Sequence, residues 1–274
     1  MNEKERLHRL LHELNIKPDK KYGQNFLISD QAISKIVEAA REFQPQQLIE
    51  IGPGLGALTL FLLNEKAPLT VVELDPKLAD YWRPQLEDRA ELILNDALKI
   101  NWDDIDNKIE SVLVSNLPYE ISSSIVVDRS TDKILLKGMV LMFQREVAQR
   151  ITATPNSKDY GVLSVIAQIS WNIKKVVSLG PGAFFPPPKV HSQVLKFEPK
   201  ASEVENKVKF LKFIKSCFAQ RRKVINKSIQ GYLASIRRPE KWDEVEKLFS
   251  KNSRAEQISV QTYVEMYNLI WEEN

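Results

Sequence analysis

The chain has 274 residues, 43% of them hydrophobic and 27% charged, and a formal net charge of +3. That composition is ordinary for a globular protein and excludes collagen-like and disordered classes, while the length allows one large domain or a medium one with an appendage. A single cysteine, Cys217, excludes an intramolecular disulfide framework; with no signal-peptide stretch and no run of 18 apolar residues, the expected location is cytoplasmic and no membrane partner is expected.

The N-terminal stretch through Lys21 mixes both charge signs and reads as a surface helix. His8 and His12 lie four apart on it but lack the glutamate and third ligand of a metalloprotease site, so no metal is expected. From Gln47 to about Phe143, short apolar runs alternate with longer amphipathic stretches. Leu48 to Ile51, Leu69 to Val72, Leu92 to Leu94, Val112 to Val114 and Met139 to Phe143 read as buried strands. Leu58 to Asn64, Lys77 to Leu86 after Pro76, and Ser122 to Asp128 read as the helices between them. The alternation predicts an α/β domain with a parallel sheet covered by helices. Helices are expected over Arg145 to Ile151 and Val162 to Trp171, then strands over Lys174 to Leu179 and Val190 to Phe197, flanking the turn Phe184-Phe185-Pro186-Pro187-Pro188. Beyond Pro199 the sequence becomes charged and helix-periodic, interrupted once at Pro239, which predicts a division into residues 1–199 and a small helical domain, 200–274. Between Lys200 and Lys227 nine Lys or Arg face two acids, Glu203 and Glu205, a local excess that suits a polyanionic partner. Cys217 reads as a buried thiol.

Four strand ends carry the chemistry. Glu50-Ile51-Gly52-Pro53-Gly54-Leu55-Gly56-Ala57 follows the first strand and opens a helix, so its glycines let backbone N–H groups approach a ligand. Gly52, Gly54 and Ala57 also satisfy the looser dinucleotide fingerprint, which leaves a nicotinamide dinucleotide beside S-adenosylmethionine as the ligand. Glu73 at the second strand end can accept ribose hydroxyls, and Asp96 at the third can accept from an adenine amine. Taken singly, each acid is as readily a helix cap or a solvated loop residue. The fourth strand ends in Asn116-Leu117-Pro118-Tyr119. Its side-chain amide oxygen and the Leu117 backbone oxygen can hold an exocyclic amine with its lone pair towards a methyl donor, and Tyr119 can stack on the base. The same four residues also make an ordinary strand-to-helix turn.

Together these segments resemble the ribosomal RNA adenine dimethyltransferase family, whose members dimethylate two adjacent adenosines near the 3′ end of small-subunit ribosomal RNA. The likeness is carried by KKYGQNFL (20–27), EIGPGLGALT (50–59), VVELD (71–75), NDAL (95–98), NLPY (116–119), QREVAQRI (144–151), AFFPPPKVHS (183–192) and CFAQRRKVINKSI (217–229). It implies a Rossmann-like class I S-adenosylmethionine-dependent methyltransferase fold with a small C-terminal helical domain. By the same likeness Asn25, Leu27, Gly52, Gly54, Glu73, Asp96 and Asn116 surround S-adenosylmethionine, and Phe184 sandwiches the target base opposite Tyr119. From its own neighbours Phe184 reads equally as a core plug beside the triple proline. Arg221, Arg222 and Lys223, with Lys20, Lys21, Arg145 and Arg150 as weaker candidates, are expected to meet RNA phosphates, although a basic run is often only a solvated face. The implied partner is small-subunit rRNA within an immature small ribosomal subunit, bound by a monomer. A ribosome-assembly factor with methylation secondary or lost, and a large-subunit rRNA adenine methyltransferase that confers antibiotic resistance, are the other readings. Two positions depart from the family pattern: Glu120 stands where Asn is usual, and His191 where Asp is common.

Overall fold

The computed structural model describes residues 2–19, 24–86, 88–105, 110–132 and 136–272. Lys20 and Lys21 lie outside them. The chain divides into two compact units: Met1–Ile125, Leu136–Ala148 and Ile173–Pro199 form the first, and Val126–Leu135, Gln149–Asn172 and Lys200–Asn274 the second.

The strands are β1 (Phe26–Leu27), β2 (Gln47–Ile51), β3 (Leu69–Glu73), β4 (Ala90–Leu94), β5 (Ser111–Asn116), β6 (Gly138–Gln144), β7 (Trp171–Leu179), β8 (Phe184–Phe185) and β9 (Ser192–Pro199). A seven-stranded sheet has the order β4-β3-β2-β5-β6-β9-β7. The pairs β2–β3, β2–β5, β3–β4 and β5–β6 are parallel, and β9 runs antiparallel to β6. β2 and β3 are buried at every position, as short, mainly apolar runs predict for strands covered on both faces. Successive strands lie to one side of β2 and then, from β5, to the other. This reversal opens a crevice at the carboxyl ends of β2 and β5.

The helix Asp30–Arg41 shows how local sequence places a covering element. Ser29 caps it by accepting from the Ala32 amide at 3.4 Å, Asp30 and Arg41 suit the two ends of its dipole, and Ala32, Ile33, Ile36, Val37 and Ala40 make the buried stripe. These side chains join Leu48, Val71, Val112, Val140 and Val194 in one core. The antiparallel ribbon of β1 and β8 pairs Leu27 with Phe184 and Phe26 with Phe185.

The second unit is held by an aromatic core of Tyr160, Phe210, Phe213, Tyr263 and Tyr267 around Cys217. Burial pushes the Cys217 thiol pKa up, so the cysteine is an inert core residue, as expected. Its helices Lys207–Phe218 and Val260–Trp271 are capped by Asn206 and Ser259, and Pro239 opens a short 3-10 turn. The expected division at residue 200 is not where compactness falls, because the second unit also contains Gln149–Asn172. Tyr160, Val165, Ile166 and Ile169 share one core with Phe210, Phe213 and Tyr263, while Ser170 Oγ donates to the Ser130 carbonyl at 2.7 Å and the Trp171 indole to Ser130 Oγ at 3.0 Å, tying this stretch to the end of the helix Tyr119–Thr131 as well. Trp171, expected to end a helix, instead begins β7. Among the described residues no helix is long and apolar enough to cross a membrane.

Gly138 opens β6 where a Cβ would stand 2.3 Å from Phe43 Cε1, and the Phe43 ring is itself covered by Lys196 Nζ at 4.5 Å from its centroid. Gly138→Ala is expected to lower stability by about 1–3 kcal/mol in chemical denaturation. A change under about 0.5 kcal/mol would show that the ring moves aside freely.

Candidate active site

The crevice is built from strand ends. Beyond β2 the chain turns through Gly52, Gly54 and Gly56, with φ of +68°, +55° and +94°. Gly56 has a second reason to lack a side chain, since a Cβ there would meet Trp82 at 2.8 Å. The loop is pinned from both sides: Gly52 N donates to Val72 O at 2.8 Å, and Trp82 Nε1 donates to Gly54 O at 2.9 Å.

Glu73 closes β3. Its Oε1 accepts from the Leu74 and Asp75 amides, both at 2.8 Å, and the Gly54 amide also donates to the carboxylate. Burial outweighs these donors and pushes its pKa up to about 7. Glu50, near the end of β2, is 1% exposed, and its Oε2 has no hydrogen-bond partner. Burial, reinforced by the charge of Glu73, pushes its pKa up to about 8. A charged residue inside the apolar run Leu48-Ile49-Glu50-Ile51 was the available signal for this residue, which motif reading passed over.

At the end of β5 the Asn116 Nδ2 donates to the Asn25 carbonyl at 3.2 Å. That bond fixes which end of the amide is the nitrogen and leaves Oδ1 as an oriented acceptor. Leu117 is buried, Pro118 fixes the turn, and Tyr119 starts the following helix. The Tyr119 hydroxyl shares a hydrogen bond with Ser192 Oγ at 3.0 Å. Burial raises the phenol pKa, so Tyr119 is neutral.

A cavity of about 690 Å³, counted with its open mouth, is lined by Asn25, Leu27, Gly52, Gly54, Glu73, Asn116, Leu117, Pro118 and Tyr119, with Glu50 in its wall. A second, of about 570 Å³, shares Gly52 and Pro118 with it and is lined by Asp96, Leu74 and Ile121. Asp96 caps its own turn, Oδ1 accepting from Leu98 N at 2.9 Å, while Oδ2 lies 3.7 Å from Lys99 Nζ. The N-terminal helix Glu3–Glu13 contributes Glu3 and Leu7 to the larger cavity, and Gln24 joins them, donating to Asp75 Oδ2 at 3.1 Å. Glu3 and Leu7 do not stand out in the sequence, because only the fold brings them to the strand ends, whereas Gln24 belongs to the KKYGQNFL segment.

Phe184 requires a correction. It is 2% exposed, lies in the core with Leu27 and Leu179, and lines neither cavity. Pairing with Leu27 turns its ring into the core, so here it is the plug and not an open face opposite Tyr119. His8 sits edge-on to Phe185 with ring centroids 4.6 Å apart. Among the described residues no group of His, Cys, Asp and Glu is placed to hold a metal. Glu120 is exposed at the second cavity, and His191 is exposed with its carbonyl accepting from Arg145 N at 2.8 Å. In the second unit Arg222 and Lys223 are exposed, whereas Arg221 is bound to Glu256 at 2.8 Å.

The two raised carboxyls set a pH dependence. In the unfolded chain both ionise near the ordinary 4.5, while the folded protein holds its protons to about 7 and 8. Their contribution is therefore full below pH 4.5 and is lost as pH rises through 7 to 8. Glu50→Gln is expected to match the parent in urea midpoint at pH 4 and exceed it at pH 8. Parallel midpoint-versus-pH curves would contradict the burial of an ionising group.

The sequence profile of the family described as ribosomal RNA adenine dimethylase matches residues 15–272. A curated relative from Bdellovibrio bacteriovorus, ribosomal RNA small subunit methyltransferase A, is 45% identical over 268 residues, 96% of each chain. A solved dimethyladenosine transferase from Plasmodium falciparum has a TM-score of 0.76 at 23% identity, over 88% of this chain and 95% of its own. The 23S rRNA methyltransferase ErmE has a TM-score of 0.65 at 23% identity, over 90% and 100%. At that identity the two structures attest the fold.

Proposed function

Because the chain belongs to the ribosomal RNA adenine dimethylase family, we propose that it transfers methyl groups from S-adenosylmethionine to N6 of two adjacent adenosines near the 3′ end of small-subunit rRNA. Its fold is the expected Rossmann-like class I methyltransferase fold, with a helical C-terminal region. The observation that carries the reading is the Asn116 amide, whose nitrogen is committed to the Asn25 carbonyl while its oxygen remains an acceptor at the cavity of Glu50 and Glu73.

The residues fit the cofactor. Two buried carboxyls in one wall, one with an unpartnered Oε2, suit a ligand carrying positive charge, which would favour their ionised forms. Glu73 and the glycine loop would hold the nucleoside and Asp96 the adenine edge. When bound, S-adenosylmethionine supplies a methyl group on a sulfonium leaving group. The remaining work is alignment. Asn116 Oδ1 and the Leu117 carbonyl accept from the two N–H groups of the adenine amine, drawing its lone pair out of conjugation and towards the methyl. Tyr119, anchored by Ser192, offers its ring to the extruded base, a contact worth about 1–3 kcal/mol against the cost of unstacking. No general base is needed, since the proton on nitrogen becomes acidic as the new bond forms. Arg222 and Lys223, which are exposed, would meet RNA phosphates. The substrate is small-subunit rRNA within an immature subunit, engaged by a cytoplasmic monomer.

The large-subunit reading has less support, because the likeness to ErmE is one of fold, while the 45% identical relative bears a small-subunit name. Incubation with labelled S-adenosylmethionine and under-methylated small subunits is expected to give dimethyladenosine. Tight binding without that product would establish an assembly factor instead. Asn116→Ala is expected to lower kcat by about 100-fold and leave RNA affinity within about twofold, because it removes alignment and not a phosphate contact. Equal losses in both would refute the role.

A further inference from the structure

Three consecutive cations, Arg221-Arg222-Lys223, form the turn between the helices Lys207–Phe218 and Asn226–Ser235, and they are not equivalent. Arg222 and Lys223 are exposed. Arg221 folds back: its Nε donates to Glu256 Oε2 at 2.8 Å and its Nη2 donates to the Lys158 carbonyl. Glu256 lies in the 3-10 turn Ala255–Gln257, and its own carbonyl accepts from Asn156 N at 2.8 Å. The far side of the turn is stitched as well. Ile225 N donates to Ser253 O at 2.9 Å, Val224 bridges to Arg254, and the Ile225 side chain is buried. Arg221 is thus the central knot of three segments distant in sequence.

We propose that Arg221 is a positioning residue, not a phosphate contact: with Glu256 and the Lys158 carbonyl it clamps the 219–225 turn so that Arg222 and Lys223 meet the RNA backbone together. This rests on the RNA-binding reading above. Two of the five N–H groups of the guanidinium are committed, the one on Nε to a carboxylate and one on Nη2 to a carbonyl, so a phosphate approaching along that edge would have to break both bonds. A clamp acts by removing beforehand the conformational freedom that binding would otherwise have to remove, which changes affinity without adding a neutralised phosphate. The two roles therefore leave different marks on the dependence of affinity on salt, whose slope counts the phosphates neutralised.

The test uses the full chain, under-methylated small ribosomal subunits as the probe, and binding measured across a salt series. Arg222→Ala and Lys223→Ala are each expected to reduce the magnitude of the log–log slope by roughly 0.7–0.9. Arg221→Ala and Glu256→Ala are expected to weaken binding several-fold with the slope unchanged, and to speed amide exchange across 219–225 while the sheet domain exchanges as in the parent. The Glu256 arm is decisive, since removing an acid beside a phosphate-binding turn would otherwise tighten RNA binding. Glu256→Ala that binds as tightly as the parent or more so, or Arg221→Ala that lowers the slope as Arg222→Ala does, would overturn the clamp and leave the RNA face standing. Unchanged affinity and slope in both Arg222→Ala and Lys223→Ala would overturn the RNA face and the clamp with it.

Discussion

The site depends on the direction in which the parallel strands run and on the reversal of their order beside β2. Parallel pairing sends the carboxyl ends of β2, β3, β4 and β5 to one edge of the sheet, and the reversal parts the covering layers there. The register pairs Glu50 with Val71 on one side and Val114 on the other, which puts Glu50, Glu73 and Asn116 within one cavity although they are up to 66 positions apart in sequence. Because side chains alternate across a strand, a slip of one residue in β2 would turn Glu50 to the opposite face. The hydrophobic strand core and the polar strand ends are therefore a single specification.

The same arrangement places two carboxyl groups where the folded protein is least able to solvate their charge. Neither Glu50 nor Glu73 forms an ion pair among the described residues, and backbone amides alone do not bring Glu73 back to its ordinary range. A positively charged ligand would supply what the chain leaves out.

Much of this was legible in the sequence for physical reasons that can be named. The parallel strands announce themselves as short apolar runs, and the residues at their ends are expected at one edge because strand ends in such sheets share it; Gly52, Glu73 and Asn116 line the larger cavity, whereas Asp96 lines the second. What was not legible depended on contacts distant in sequence. Phe184 could be a base platform or a plug until its pairing with Leu27 buried it. Arg221 looked identical to Arg222 until Glu256 and Lys158 were beside it. The compact units cross the expected boundary because Tyr160, Val165, Ile166 and Ile169 pack into the same core as Phe210, Phe213 and Tyr263, a link that periodicity does not encode.

The bond from Asn116 Nδ2 to the Asn25 carbonyl also bears on how the reaction ends. With the amide nitrogen engaged, what Asn116 shows the cavity is an acceptor, and the Leu117 carbonyl is an acceptor by nature. An unmodified adenine amine has two hydrogens to offer such a pair, its monomethyl form has one, and its dimethyl form has none. Under the proposed role of the two oxygens, each turnover would remove one of the bonds that hold the nucleophile, and after the second none would remain. The finished base would then be the poorest guest of the three, so that counting donors would amount to counting methyl groups.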